Sequence, residues 1–327
     1  MKIDDARTRV IRRGEILANG TTERQLRTLV AAGELVRIRS GFYATGRTWT
    51  GLYAEDRHLL KVVAADAARR DGDVVFSSVS AAVAHGLPLF QIVPEYVHVA
   101  GPRTDAVARP KAGLSHHSAL LSDGDKVVID GVPCTSLART VFDLVRTIPR
   151  APAIAAADAA LRLVAWDPRS RKYDEAAAEA FRRQLLDRLT TARGARGVRQ
   201  ARFVVAFADG RAQLPGESVS RLHLHDLGFA PARLQVPILG PRGEDWAIDF
   251  SLDDVDAWGE FDGTGKYTDP AFLRGRTAEQ AVLAEKYRED WIRGTTNRRF
   301  ARWGMVHIGS ADDLARRLAA FHIHAPG

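Results

Sequence analysis

The chain has 327 residues and a mass of 35.8 kDa, a length that exceeds one ordinary domain core and favours two or three domains. Its 46% hydrophobic and 27% charged residues are typical of a soluble globular protein, and a formal net charge of +7 favours an acidic partner, with nucleic acid as the first candidate. The single cysteine, Cys134, excludes an intramolecular disulfide framework and a cysteine-cage zinc site.

The amino terminus and the hydropathy pattern predict a cytoplasmic protein with no membrane segment. The opening MKIDDARTRVIRRGE lacks an apolar core of signal-peptide length. The sequence also has no run of about eighteen apolar residues, the length that a membrane helix needs. A lone cysteine fits a reducing cytosol.

Residues 1–50 predict a small DNA-binding domain. Thr22 and Gln25 have the spacing of a capping box, Leu26 begins an apolar stripe at helical spacing, and Gly33 is placed to end the helix. A strand follows in which apolar residues alternate with arginines, then a Ser-Gly turn and the short strand FYA. Helix, helix and basic hairpin is the order of a winged helix-turn-helix.

In that geometry the second helix enters the major groove and the hairpin, or wing, lies along the phosphates. The side chains expected to contact DNA are Arg24, Gln25, Arg27 and Thr28 on the helix and Arg37, Arg39 and Ser40 on the wing. The structural alternative is a capped helix with a solvated basic hairpin that serves as a protein docking face.

Residues 51–165 predict a mixed αβ domain, in which Val141, Leu144 and Val145 keep helical spacing. Residues 166–207 predict an arginine-rich helical connector, broken into two helices at RGARG. From 182 to 202 it has seven arginines against one acid, Asp187. Such a run is either a solvated helix face or a surface that follows phosphates.

Residues 8–165 resemble the AbiEi family of type IV antitoxins in its actinobacterial form. The resemblance rests on TTERQLRTLVAAGELVRIRSGFYA, SSVSAAVAHGLPL, VHV, GVPCTSLARTVFDLVR and AIAAADAALR, in this order and spacing. It implies a winged-helix DNA-binding domain followed by a domain that can repress transcription. It also implies a functional partner, a nucleotidyltransferase-like toxin that is counteracted without stable contact.

Ser80 and several histidines invite a catalytic interpretation, but linear spacing shows no base within reach of a nucleophile. His116 and His117 are adjacent and would point to opposite faces of a strand. We interpret these residues as structural or surface groups. Arg139 is expected to form a local ion pair with Asp143, four residues on.

The stretch WAIDFSLDDVDAWGEFDGTGKY, residues 246–267, predicts a hairpin with two opposed carboxylates. If DDVD is a four-residue loop, position 252 pairs with 257 and Asp249 lies opposite Glu260. The alternation places Ile248 and Phe250 on one face and Asp249 on the other. Opposed like charges destabilise a sheet, and a divalent cation with hard oxygen ligands would turn that penalty into a binding site.

Residues 208–322 are similar to the PD-(D/E)XK nuclease fold, in the branch related to very-short-patch-repair endonucleases. The resemblance rests on GESVSRLHLHDLGF, LQVPI, AIDFSLDD, WGEFDGTGKY, EKYREDWIR and WGMVHIG. It implies that Glu217 contacts the metal or its water shell and that Asp249 is the central metal ligand. Glu260 would be the acid of the final motif, with the Phe261 carbonyl as an extra ligand, and Gln235 would lie nearby on the preceding strand.

The chain departs from the general nuclease pattern at Asp262, which stands where the motif expects lysine. Lys266, at the histidine position of this branch, would supply positive charge to the attacking water or the scissile phosphate. Arginines and lysines between 286 and 299, Arg288 among them, are expected to be an ordinary charged surface, or phosphate contacts if DNA lies across the cleft.

The expected fold class is α/β (α+β), with a winged helix-turn-helix at 1–50, an αβ domain at 51–165, a connector at 166–207 and a nuclease-like domain at 208–327. The expected function is a Mg²⁺- or Mn²⁺-dependent DNA endonuclease or nickase, targeted by its winged helix, in a toxin–antitoxin or phage-defence setting. The competing class is a non-enzymatic antitoxin that binds operator DNA and represses its own promoter. RNA is an alternative substrate, and a dimer on DNA is a further expectation because operators of such winged helices are often repeats.

Overall fold

The computed structural model describes residues 1–69, 75–101, 113–263 and 277–326. Helices and several mixed sheets make it an α+β protein, as the sequence predicts. The chain divides into two compact units. Unit 1 comprises residues 1–160 and 176–207, and unit 2 comprises residues 161–175 and 208–327. The main segment of unit 2 begins where the last predicted domain begins, whereas the predicted connector is shared between the units.

The first fifty residues of unit 1 form a small helical layer with a three-stranded sheet of order β1-β3-β2. The elements are α1 (Ile3–Arg9), β1 (Ile11–Arg12), α2 (Arg13–Ala18), α3 (Glu23–Ala31), β2 (Leu35–Arg39) and β3 (Phe42–Thr45). The predicted capping box is confirmed: Thr22 Oγ1 accepts from the Gln25 N–H, and Gln25 Oε1 accepts from the Thr22 N–H at 2.8 Å. Leu26 packs in the core of this layer against Ile16 and Tyr43.

The rest of unit 1 is built on a five-stranded mixed sheet of order β6-β5-β4-β8-β7. Its strands are β4 (Val75–Phe76), β5 (Val97–Gly101), β6 (Leu114–Ser118), β7 (Lys126–Ile129) and β8 (Val132–Thr135). Its helices are α4 (Gly46–Thr50), α5 (Ala54–Ala67), α6 (Ser78–Ala84), α7 (Leu137–Thr147), the larger part of α8 (Arg150–Ala165), α9 (Glu175–Thr191) and α10 (Val198–Phe207). The predicted helical spacing in α7 is confirmed, since Val141, Leu144 and Val145 are all buried. The break at RGARG separates α9 from α10, also as predicted.

Unit 2 contains a short pair of strands, β9 (Trp166–Asp167) and β10 (Lys172–Tyr173), and a four-stranded sheet. The elements of the main segment are α11 (Pro215–Asp226), β11 (Arg233–Leu239), β12 (Asp245–Leu252), β13 (Ala257–Asp262), α12 (Ala278–Thr296), β14 (Arg299–Gly304) and α13 (Ala311–Ala319). Strands β11, β12 and β13 are antiparallel, and β14 lies parallel to β13. A helix thus precedes the three antiparallel strands and another lies between the third and fourth strands in the chain.

The β12–β13 hairpin has the predicted register, because Leu252 pairs with Ala257 across a loop of residues 253–256. Among the described residues this register ends at the pair Phe250–Gly259, so the predicted pairing of Asp249 with Glu260 is not part of it. Asp256 adopts a left-handed backbone with φ 49°, which allows the chain to reverse within so short a loop.

The predicted common face of Ile248 and Phe250 is wrong. Ile248 packs with Trp258, Phe300 and Ile292 of α12, whereas Phe250 packs against Trp303 at a ring distance of 5.3 Å. Between them lies Asp249, and across from it on β11 Gln235 has φ 49°, so regular alternation fails at this point. The Trp303 indole in turn donates to Ser220 of α11 at 2.8 Å.

Within the described ranges, no helix is both long and apolar enough to cross a membrane.

Candidate functional site in unit 2

Glu217 lies in the first turn of α11, where Pro215 begins the helix with a backbone that proline favours. Its side chain is only 2% exposed. Oε2 accepts a hydrogen bond from the backbone N–H of Gln213 at 2.8 Å. A buried carboxylate needs such partners, and the helix amino terminus favours negative charge there.

The side chain of Gln235 on β11 bridges two acids, Glu217 of α11 and Asp249 of β12. Its Nε2 donates to Glu217 Oε2 at 3.3 Å and to Asp249 Oδ1 at 3.1 Å. Its Oε1 accepts from Gln213 Nε2 at 2.8 Å, and Gln213 is exposed. The amide of Gln235 therefore bridges two carboxylates, and the exposed side chain of Gln213 holds this amide in place.

Asp249 also contacts the final strand of the predicted hairpin. Its Oδ2 accepts a hydrogen bond from the backbone N–H of Phe261 at 2.9 Å. This contact places the carboxylate beside the residue whose carbonyl the resemblance implies as a metal ligand. The structure therefore brings Glu217, Gln235 and Asp249 together, with the Phe261 backbone beside them.

Glu260 is 3% exposed and is held by two arginines. Oε1 lies 2.6 Å from Arg288 Nη1, and Oε2 lies 3.6 Å from Arg302 Nη2. Burial and, less strongly, the nearby charge of Asp249 raise the pKa of Glu260 to about 7 against the opposing charges of Arg288 and Arg302. The carboxyl thus titrates near neutral pH although two cations touch it.

Arg302 joins Glu260 to three further acids at the end of β13 and on α12. Its guanidinium lies 2.9 Å from Asp262, 2.8 Å from Glu285 and 3.2 Å from Glu289. Asp262, which stands in the motif's lysine position, is therefore ion-paired. Burial lowers the pKa of Arg302, but the surrounding carboxylates raise it more, so this guanidinium stays charged.

Two side chains of this cluster, Gln213 and Arg302, were missed in the sequence, and the expected role of Arg288 was wrong. Arg288 is not an ordinary surface cation, because its side chain is 16% exposed and it also donates to the Ala247 carbonyl at 2.5 Å. Nothing in the local pattern of α12 distinguishes Arg288 from its exposed neighbours. The charge at Asp262 was the available signal, because a half-buried acid in place of lysine needs a cation from elsewhere.

The oxygen ligands at this site are of the chemical type that Mg²⁺ prefers. Mg²⁺ requires only one or two carboxylates, completed by carbonyl oxygens and water, and Asp249, Glu260 and the Phe261 carbonyl are such ligands. The repulsion between Asp249 and Glu260 is what a cation would relieve. In the described residues, however, no group of three or more His, Cys, Asp or Glu side chains is arranged to hold a metal ion. Lys266 lies outside the described residues.

The residues expected to contact DNA lie on α3 and on the β2–β3 hairpin. Six of the seven are exposed; these are Arg24, Gln25, Arg27, Thr28, Arg37 and Ser40. The Oε1 of Gln25 accepts a hydrogen bond in the capping box. Arg39 is half-buried at a bulge of β2, and burial lowers its pKa.

Ser80, His58 and the His98 backbone form a hydrogen-bonded network in the interior of unit 1. Ser80 Oγ is within 2.8 Å of His58 Nε2 and accepts from the His98 N–H at 2.8 Å, and Ser80 is fully buried. His85 Nε2 bonds the Thr135 carbonyl at 2.8 Å. A nucleophile needs access to substrate, which Ser80 lacks. Arg139 forms the expected ion pair with Asp143 at 3.0 Å.

Fold and site together define a two-unit α+β protein with an acid–amide–arginine cluster buried in the mixed sheet of unit 2. No model of a known protein family matches the chain. Two proteins from two strains of Mycobacterium tuberculosis, named Uncharacterized protein MT2308 and Uncharacterized protein Rv2248, are each 31% identical to it over 257 residues, which is 78% of this chain and 84% of each relative. The chain belongs to the same family as these two mycobacterial proteins.

Proposed function

We propose that this chain is a cytoplasmic DNA-binding protein whose unit 2 is a Mg²⁺- or Mn²⁺-dependent DNA endonuclease or nickase, acting in a toxin–antitoxin or phage-defence setting. Two linked observations carry the proposal: Gln235 bridges Glu217 and Asp249, and Glu260, which is held by two arginines, is close enough to Asp249 for the charge of Asp249 to act on it. Burying Glu217 and Glu260 costs stability unless these acids have a task or complete compensation. An acid with a pKa as strongly raised as that of Glu260 is typical of a functional site.

The chain order of unit 2 supports the same assignment. A helix with Glu217, three antiparallel strands with Asp249 and Glu260, a helix, and a parallel fourth strand are the elements that the resemblance to the PD-(D/E)XK fold implies. When bound, a magnesium ion would supply a hydroxide nucleophile and charge stabilisation at a phosphate. Asp249, Glu260 and the Phe261 carbonyl would hold it, and Gln235 would orient Asp249.

DNA binding is supported by unit 1. The order α1, β1, α2, α3, β2, β3 and the sheet order β1-β3-β2 fit a winged helix-turn-helix, with the exposed side of α3 facing a groove and the hairpin along the backbone. Exposed Arg24 and Arg27 would supply cations on α3, and Arg37 on the wing.

A second candidate is a non-catalytic AbiEi-type antitoxin that represses the operon of a nucleotidyltransferase toxin. Two observations favour it: Arg288 and Arg302 already form ion pairs with Glu260, and the described residues contain no group of three metal-ligating side chains. An acid that is paired with fixed arginines can have a structural role without any metal.

Cleavage of supercoiled plasmid by the purified protein with Mg²⁺ or Mn²⁺ decides between the two. We expect metal-dependent nicking or linearisation that disappears in Asp249→Ala and Glu260→Ala. Asp256→Asn is the matched control, because it removes an exposed acid from the loop of the same hairpin and asparagine tolerates the left-handed backbone there. Intact plasmid in every metal, with wild type and both alanine variants still bound to DNA, would leave the repressor as the function.

A further inference from the structure

The arginine-rich run from residue 182 to residue 202 has two parts, one that forms ion pairs within unit 1 and one that is exposed. Of the seven between 182 and 202, Arg182 lies 3.7 Å from Glu179 and Arg188 forms a 2.6 Å ion pair with the buried Asp125. Both of these contacts stabilise unit 1. Four arginines that follow them along the chain are exposed; we call them the arginine surface, and they are Arg193, Arg196, Arg199 and Arg202.

The backbone beneath the arginine surface is fixed against the carboxyl end of α7. Arg146 Nε and Nη2 both donate to the Arg196 carbonyl at 3.2 Å. Gln200 Nε2 donates to the Val145 and Ile148 carbonyls at 2.9 and 2.8 Å. These bonds also satisfy carbonyl groups that the end of a helix leaves without partners.

Gly197 tightens this junction further. Its φ is 80°, and a Cβ at this position would lie 2.0 Å from the Arg146 carbonyl oxygen. Only glycine permits so close an approach of the two backbones. The backbone of RGARG is therefore anchored at Arg196 and Gly197, and cations on an anchored backbone bind a repeated anion with less loss of entropy than cations on a mobile loop.

From this geometry we infer that the arginine surface is a second contact with the phosphate backbone of duplex DNA, separate from α3 and the wing; the inference rests on the proposed DNA-binding function. Arginine matches phosphate through paired N–H donors, and Arg199 and Arg202 are one turn apart on α10. Four apolar residues of α10, Val198, Ala201, Val204 and Val205, are buried, and its two phenylalanines are half-buried. A lipid-binding helix would instead present an apolar face to the bilayer.

The test is binding of full-length protein to a fluorescent duplex of about 30 base pairs of arbitrary sequence, titrated at several salt concentrations. The variant is Arg196→Gln/Arg199→Gln/Arg202→Gln, and the charge-matched control is Arg169→Gln/Arg242→Gln/Arg316→Gln, three exposed arginines of unit 2. Each released phosphate contact lowers the salt slope by about 0.9, so we expect the variant to lose about 2 to 3 units of slope and at least about tenfold in affinity at low salt. The control should stay within about threefold of wild type, and thermal melting should be unchanged in both.

The outcomes separate this inference from the proposed function. Tight binding by wild type with an equal loss in variant and control would overturn the inference, because net charge alone would explain the effect. Variant affinity equal to wild type would overturn it as well and leave the winged helix as the DNA contact. No binding of wild type to any duplex would overturn the proposed function together with the inference. Loss of binding to phosphatidylserine vesicles, with DNA binding unchanged, would assign the surface to lipid instead.

Discussion

Glu217 and Asp249 accept hydrogen bonds from the same amide nitrogen of Gln235. Two carboxylates this close to one donor repel each other, and a single neutral amide satisfies only part of their capacity to accept. The left-handed backbone of Gln235 is what brings the amide to both of them. Gln235 therefore combines an unfavourable φ with a bridging side chain, and residues with a strained backbone are concentrated at active and binding sites.

Gln235→Asn separates these two roles. Asparagine tolerates a positive φ at least as well as glutamine, but it is one methylene shorter and would not reach both acids. We expect a loss of about 1 to 2 kcal/mol in the free energy of unfolding, measured by urea denaturation, and a weaker metal-dependent cleavage of plasmid. Unchanged stability in this variant would show that the amide bridge contributes nothing.

His58 makes the stability of unit 1 depend on pH. Burial, followed by the charges of Lys61 and His98, lowers its pKa from 6.5 to about 3. Above pH 6.5 the imidazole is neutral in the folded and unfolded states, and its contribution to stability is complete. As the pH falls from 6.5 toward 3, the unfolded state binds a proton that the folded state refuses, so stability declines by at most about 5 kcal/mol.

His58→Gln should flatten this decline, because glutamine does not titrate. Melting temperatures between pH 4 and 7.5 would show a smaller pH dependence in the variant, even though its stability at neutral pH is lower after loss of the 2.8 Å bond to Ser80. His116→Gln, on exposed β6, is the control and should follow the wild-type profile. A wild-type-like profile for His58→Gln would place the acid sensitivity elsewhere.

At the scale of elements, two helical glycines of unit 2 differ in the space around them, because one is tightly packed and the other is open. A Cβ on Gly216 in α11 would lie 2.0 Å from the ring of Phe261 on β13, whereas a Cβ on Gly294 in α12 would meet nothing within 4 Å. Gly216 is therefore what allows α11 to approach the strand that carries the candidate site.

Gly216→Ala should destabilise the protein by about 1 to 3 kcal/mol, because the phenyl ring and helix must separate. Gly294→Ala should stabilise it by roughly 0.5 to 1 kcal/mol, the usual difference in helix propensity between the two residues. Thermal and urea unfolding of both variants provide the comparison. The same sign of change in both would mean that the packing of α11 on Phe261 does not limit stability.

Local features of the elements could be predicted from sequence, and long-range ones could not. The Thr22–Gln25 cap and the pairing of Leu252 with Ala257 are determined by a few adjacent residues and by loop length, and both are confirmed. The break in alternation at Asp249 lies opposite Gln235, whose left-handed backbone on another strand is not signalled by the pattern of β12, and the predicted face of Ile248 was wrong.

The partners of Glu260 show the same limit at the candidate site. Arg302 is its neighbour only because β14 pairs in parallel with β13, and Arg288 reaches it only through the packing of α12. Nothing near either arginine in the sequence signals these contacts. Asp249 and Glu260 were identified from the hairpin pattern, and Glu217 and Gln235 from a resemblance, but the assembly of these residues depends on tertiary packing that periodicity does not encode.

At the scale of the whole molecule, unit 2 is built from two separate segments of chain. The Gly210 N–H donates to the Tyr173 hydroxyl at 3.2 Å, and the Arg211 guanidinium lies 4.3 Å from the centre of the Tyr173 ring. Arg211 also forms an ion pair with Glu175. Residues 161–175 thus complete a fold whose main segment begins at residue 208.

A fragment of residues 161–327 should therefore melt at a higher temperature than a fragment of residues 208–327. Arg211→Gln in the longer fragment should remove part of the difference, since it loses both the cation–π contact and the ion pair. Equal melting temperatures for the two fragments would show that the earlier segment adds nothing to the folding of unit 2.

Strand β11 is an open edge of the unit 2 sheet, and its irregularity has a consequence for self-association. An uninterrupted edge strand offers a row of backbone donors and acceptors to any other chain, which is a common route to aggregation. Pro237 lacks an N–H, and the left-handed turn of Gln235 bends the strand two residues before it. The backbone angle that brings an amide to two acids therefore also deprives a neighbouring molecule of a regular edge on which to add a strand.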